Sequence, residues 1–216
     1  MGEVTIPIYL EAGAKRTFAC SLDWPGWCRS GKTEDAAIEA LIRAAPRYAQ
    51  VAKRAHKRFP KTEPDRLLVV ERIDGSGTTD FGAPGKVAEA DYSGLDPAGA
   101  NRLRELLQAC WGYLDEVVAA APPHLKKGPR GGGRDRDDVM RHVLDAESSY
   151  ARSIGLKLKA PEVGDPQAID EARAAIVQRI APGGGKPEKG WPVPYFVRRA
   201  AWHVLDHAWE IQDKAP

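Results

Sequence analysis

The stretch "AWHVLDHAWEIQD", residues 201–213, holds two of the chain's five histidines, His203 and His207. They are four positions apart, so a helix would set both on one face, about 6 Å apart at Cβ. That spacing suits two imidazoles converging on one metal ion, and equally suits two amphipathic residues on a helix flank. The choice depends on what the preceding segments bring to the same face. Four of them, counting this one, read as amphipathic helices.

Working backward, "DRDDVMRHVLDAESSYARSIG" runs from an Asp135 cap to Gly155 and carries His142 beside the apolar stripe Val139, Val143, Ala146. A segment opening at Asp165–Pro166 lines up Ile169, Ala172, Ile176 and Ile180. Ahead of both, Asp96 caps a helix with Pro97 at its first position. Its stripe is Leu103, Leu106, Leu107, Cys110, Leu114, Val117 and Val118, and Pro122 stops it. Residues 95–216 are therefore expected to form an all-α four-helix bundle, an architecture whose core assembles metal sites from facing helices. His142 is the third ligand candidate beside His203 and His207. The gly-rich stretches "GPRGGGRD" and "APGGGKPEKG" do not match a phosphate-loop pattern and read as connectors. Asp145, Glu147 and Asp206 read as surface charges, and no general base stands out, so the catalytic residues are left unassigned.

The first half reads differently. "VTIPIYL" and "RTFACSL" are β-rich runs joined at Gly13, and "DWPGWCRSG" is turn-rich. Thr33 then caps a helix whose first turn is acidic (Glu34, Asp35) and whose apolar positions are Ala37, Ile38, Leu41, Ile42 and Ala45. Pro46 is expected to kink or end it, with "RYAQVAKRAHKRF" carrying helix onward. "RLLVVERI" is a further strand. The order is β-β-α-β, an α+β domain over residues 1–73. Residues 74–94 are a linker or a long functional loop.

Composition narrows the function. The 216 residues carry 32 basic and 30 acidic side chains, a net charge of +2, so nothing global points to nucleic acid. No apolar run is long enough to span a membrane, and the N-terminus shows no secretory leader. Cys20, Cys28 and Cys110 lack CxxC spacing, so a reduced, cytoplasmic protein is expected. The basic run "RYAQVAKRAHKRFPK" reads as a solvated helix face. Trp24, Trp27, Trp202 and Trp209 read as core, with Trp202 placed to line a pocket mouth.

Residues 95–216, with His142 in the second helix and the HxxxH pair in the last, resemble the DinB-like superfamily of four-helix-bundle metalloenzymes. That resemblance implies a divalent metal, zinc or nickel, on His142, His203 and His207. It also implies thiol transfer with a low-molecular-weight thiol, or hydrolysis, on a small-molecule substrate. The Ala-, Arg- and Gly-rich composition fits a GC-rich bacterial genome. "TFACSLDWPGWCRSGKTEDAAIEALIRAA", within residues 3–72, resembles the HicB-like antitoxin fold, carried by Gly31, Thr33, Glu34 and Ala36 in order. Two roles follow for that half. One is an accessory domain that covers the bundle or forms a homodimer. The other is a non-catalytic regulatory protein that binds a toxin or RNA, with the bundle as scaffold.

Overall fold

The computed structural model describes residues 5–128 and 132–215. Val4, at the head of the first expected strand, and residues 129–131 of the Gly-rich connector lie outside the described residues. The architecture is mixed α+β: a four-stranded sheet with helices in the first half, then mostly helices.

The strands are β1 (Ile6–Ala12), β2 (Thr17–Ser21), β3 (Cys28–Gly31) and β4 (Leu67–Asp74), in sheet order β3-β2-β1-β4. β1 pairs antiparallel with β2, and β2 with β3, whereas β4 returns parallel to β1. A parallel return needs a crossover, and α1 (Glu34–Arg54) provides it. β3 is an addition to the expected β-β-α-β order. Its four residues pair with β2, Phe18 opposite Ser30, although their composition gives no strand pattern.

Local chemistry fixes where α1 starts. Thr33 accepts a hydrogen bond from the Ala36 amide at 3.2 Å, Glu34 and Asp35 occupy the first turn, and Lys53 and Arg54 close the last. A Cβ on Gly31 would lie 2.4 Å from the backbone of Ala36 and Ala37, so only glycine lets β3 run so closely into the helix. Pro46 neither ends nor splits α1. It is exposed, so the Ile42 carbonyl that it deprives of a donor lies on the water-facing side. Buried Leu41, Ala44, Ala45 and Tyr48 anchor both flanks. The basic second half of α1 and the residues just after it are tied to neighbouring helices, with Arg54 paired to Glu116, Lys57 to Glu105 at 2.5 Å and Arg47 to Asp213 at 3.0 Å.

The turn between β2 and β3 folds the chain back so that Cys20 and Cys28 stand opposite each other, Cα atoms 4.1 Å apart, and their sulfurs are joined. The expectation of three reduced cysteines is corrected for this pair. Strand register, invisible in the spacing of the two residues, brings them together. Cys110 stays a buried thiol whose pKa burial pushes up.

Residues 74–94 form the short α2 (Gly77–Phe81) and a 3-10 turn at Glu89–Tyr92. Buried Glu11 holds this stretch, accepting from Thr79 Oγ1 at 2.5 Å and from the amides of Gly85 (2.8 Å) and Lys86 (3.0 Å). Buried Asp91 pairs with Arg198, so the stretch is docked on the last helix.

The second half holds α3 (Pro97–Ala120), α4 (Arg136–Arg152), α5 (Pro166–Arg179) and α6 (Val193–Lys214). Asp96 and Asp165 cap α3 and α5, accepting from Gly99 and Ala168 amides. α6 packs against both α3 and α4. One hydrophobic cluster runs from Ile8 and Leu10 of the sheet through Leu41 and Tyr48 to Leu107, Val143 and Leu205. Trp24, Trp27, Trp202 and Trp209 are all buried, as expected of core residues. Among the described residues no helix is long and apolar enough to cross a membrane.

Glu147 requires a correction. Read as a surface charge, it is 5 % exposed and accepts from Trp111 Nε1. Burial raises its pKa, with Arg173 and the Trp111 bond opposing. Arg173 itself forks onto Asp115 at 2.6 and 3.0 Å. A raised carboxyl pKa favours folding fully below the unfolded value of about 4.3, and that contribution is lost as pH rises through the folded value. Glu147→Gln keeps an acceptor for Trp111 and cannot ionise. Urea unfolding is expected to show it more stable than the parent at pH 7, with the gain shrinking at pH 4. Glu147→Leu orphans the indole N–H and is expected to cost about 1–3 kcal/mol at pH 4.

Candidate metal centre

α4 and α6 build the centre. Val139, Val143, Leu144 and Ala151 bury one side of α4, which leaves His142 at the edge of that face, turned toward α6. α6 is buried along nearly its whole length. His203 is 6 % and His207 8 % exposed, one turn apart, and His142 is the most exposed of the three.

The structure brings the three histidines together, one potential donor atom of each lying within 4.8 Å of the others. The ring centroids of His142 are 5.0 Å from His203 and 4.9 Å from His207, and those two are 4.6 Å apart. His142 Nε2 stands 3.2 Å from His203 Nε2. Two nitrogens bound tetrahedrally to zinc at 2.0–2.1 Å would be about 3.3 Å apart, so this pair already has the spacing of two ligands on one ion. His203 Nδ1 is buried without a partner.

Electrostatics keeps lone pairs available. Burial lowers the pKa of His203 well below its ordinary value, helped by His207, Arg199, His142 and Arg134. Burial also lowers that of His142, with Arg134 and His207 adding to it and Glu210 and Asp145 opposing. Both are therefore neutral imidazoles at neutral pH, the form that binds a cation.

Glu210, unremarked in the sequence, orients the third ligand. Its Oε2 lies 2.7 Å from His207 Nδ1, and Lys214 Nζ holds its other oxygen at 2.5 Å. The hydrogen bond from His207, then the one from Lys214, depress its pKa to about 2 against the pull of burial. A carboxylate on Nδ1–H leaves Nε2 as the lone-pair nitrogen. Glu210→Gln is expected to weaken zinc affinity about tenfold, measured by chelator competition, with no change in the number of ions bound. The i,i+3 spacing of His207 and Glu210 is the signal that would have found it.

Two further residues belong to the surroundings. The Tyr150 ring is 5.6 Å from His203 and the Trp202 ring 6.1 Å, which places Trp202 beside the centre. Arg199 stacks over both rings. Asp206 points elsewhere, paired with Arg29 at 2.8 Å, and Asp145 is exposed. The 74–94 stretch reaches α6 at Arg198, which is turned about 140° around the helix from His203. Comparison with family models, with curated proteins and with solved structures finds no match for this chain.

Proposed function

We propose that the chain is a divalent-metal-dependent enzyme that holds one cation on His142, His203 and His207 and acts on a small molecule by thiol transfer or hydrolysis. The observation that carries the reading is the convergence of three imidazoles from two helices, two of them with nitrogens at 3.2 Å. Nitrogen donors of this kind suit zinc or nickel. A bound divalent ion would supply Lewis acidity and lower the pKa of a coordinated water or thiol.

The chain's own contributions are separate. His203 and His142 stay unprotonated, Glu210 fixes the tautomer of His207, and Tyr150 and Trp202 wall the apolar side. The partial exposure of His142 opens the centre to solvent. Helix order and histidine placement over residues 95–216 support a DinB-like four-helix bundle with a low-molecular-weight thiol as co-substrate. In the same reading the first half is a HicB-like accessory domain laid against it.

Metal analysis of untagged protein purified without nickel resin tests this. About one zinc or nickel per chain, absent from His203→Ala, is the expected result. Such protein should also accelerate transfer of a thiol, or hydrolysis, in a substrate screen. A parent chain that takes up neither metal after soaking would overturn the proposal.

A further inference from the structure

We infer that Arg199 is an anion subsite of this centre, and that the ligand it receives is a small molecule bearing a carboxylate; the inference rests on the metal reading above. Among the described residues three arginines are buried: Arg173, Arg198 and Arg199, at 8, 7 and 9 % exposure. Arg173 is forked onto Asp115 and Arg198 is paired with Asp91. Among the described residues Arg199 meets no such carboxylate, and its Nη1 is buried with no hydrogen-bond partner. Taking a guanidinium out of water is unfavourable unless an opposite charge meets it. For two of the three the chain supplies that charge, and for the third it must come from outside.

The position of Arg199 indicates where the missing charge goes. It sits one turn before His203 on α6, in the series Arg199, His203, His207. Tyr150 sits two turns after His142 on α4. The helices that meet at the histidines thus meet again one turn along, at Tyr150 and Arg199. The Arg199 Cζ lies 4.9 Å from the Tyr150 ring centre and 4.7 Å from that of Trp202, the same two rings that flank His203. Burial raises the pKa of the Tyr150 hydroxyl and the neighbouring Arg199 guanidinium opposes that rise, yet Nη1 is still left over. Arg199 also contributes to the lowered pKa of His203, so its charge is felt at the centre. Trp191, 5.5 Å from Tyr150, extends the aromatic wall.

One guanidinium edge between aromatic faces matches a planar monoanion. Four residues of helix separate Arg199 from His203, a rise of about 6 Å. A molecule with two or three carbons between its carboxylate and a donor such as sulfur spans that distance.

The test uses the full chain loaded with cobalt(II), whose visible spectrum reports both metal uptake and thiolate binding. It is titrated with 3-mercaptopropionate and 4-mercaptobutyrate, and with the matched alcohols 3-mercaptopropanol and 4-mercaptobutanol. Affinities are compared at equal thiolate concentration and constant ionic strength. The acids are expected to bind about tenfold tighter, the worth of one charge-assisted hydrogen bond. Arg199→Gln is expected to erase that preference while cobalt is still bound, and Arg199→Lys to keep part of it. Equal affinity for acid and alcohol in the parent overturns the inference while leaving the metal site standing. A preference that survives Arg199→Gln overturns it too, because the carboxylate is then held elsewhere. A parent that shows no cobalt bands overturns the metal reading, and the subsite falls with it.

Discussion

His142→Ala is expected to lower zinc affinity by more than about 100-fold while leaving the metal-free protein as stable as its parent. An outer partner of a ligand is worth about 10–100-fold, and His142 would be a ligand itself, with Nε2 at 3.2 Å from its counterpart on His203. Its loss leaves two imidazoles on one helix, a much weaker pair. The fold should not notice, because His142 is the most exposed of the three and its neighbours Val139 and Val143 remain fully buried. His203→Ala is less clean, since it also empties a buried position. Metal binding stabilises the native state by mass action, about 2.7 kcal/mol at a hundred times Kd. For a chain of this size that raises the melting temperature about 5–10 °C. Thermal unfolding with and without zinc should show that rise in the parent and none in His142→Ala. An equal rise in both would remove His142 from the site.

What could be read in the sequence was what local chemistry decides. The caps Thr33, Asp96 and Asp165, each followed by a 3.6-residue stripe, mark real helix starts. The HxxxH pair was legible because both residues share one helix face. Features decided by packing were not. β3 is four residues of mixed composition that become a strand only by pairing with β2, and the pairing of Cys20 with Cys28 follows from that register. Pro46 sits inside α1 because buried residues on both sides hold the helix. Glu147 looks like any surface acid until Trp111 and Arg173 arrive from α3 and α5. The meeting of His142 with His203 was reachable only through helix order and a family resemblance. Arg199 gave no sign, since its significance is a carboxylate partner that its neighbour Arg198 has and it lacks.

Gly26→Ala, a single methyl group far from the histidines in sequence, is expected to cost about 2–4 kcal/mol and to weaken zinc binding as well. Gly26 has φ +92°, a conformation that alanine adopts only under strain. A Cβ there would stand 2.7 Å from Leu205 Cδ1 and 3.1 Å from the Ala201 carbonyl oxygen. The turn cannot simply retreat. The Trp27 amide donates to Trp24 O at 3.0 Å and the Tyr48 hydroxyl to Pro25 O at 2.8 Å. Trp27 is fully buried, with its indole N–H on Leu41 O at 2.9 Å. The strain therefore passes into α6, whose residues 201 and 205 bracket His203 and adjoin His207. Gly77, with no atom within 4 Å of its would-be Cβ, is the control, and Gly77→Ala should change neither property. Urea unfolding and zinc competition on the same samples separate the two effects. If Gly26→Ala loses stability but keeps the parent's zinc affinity, α6 holds its place and the turn is the part that yields.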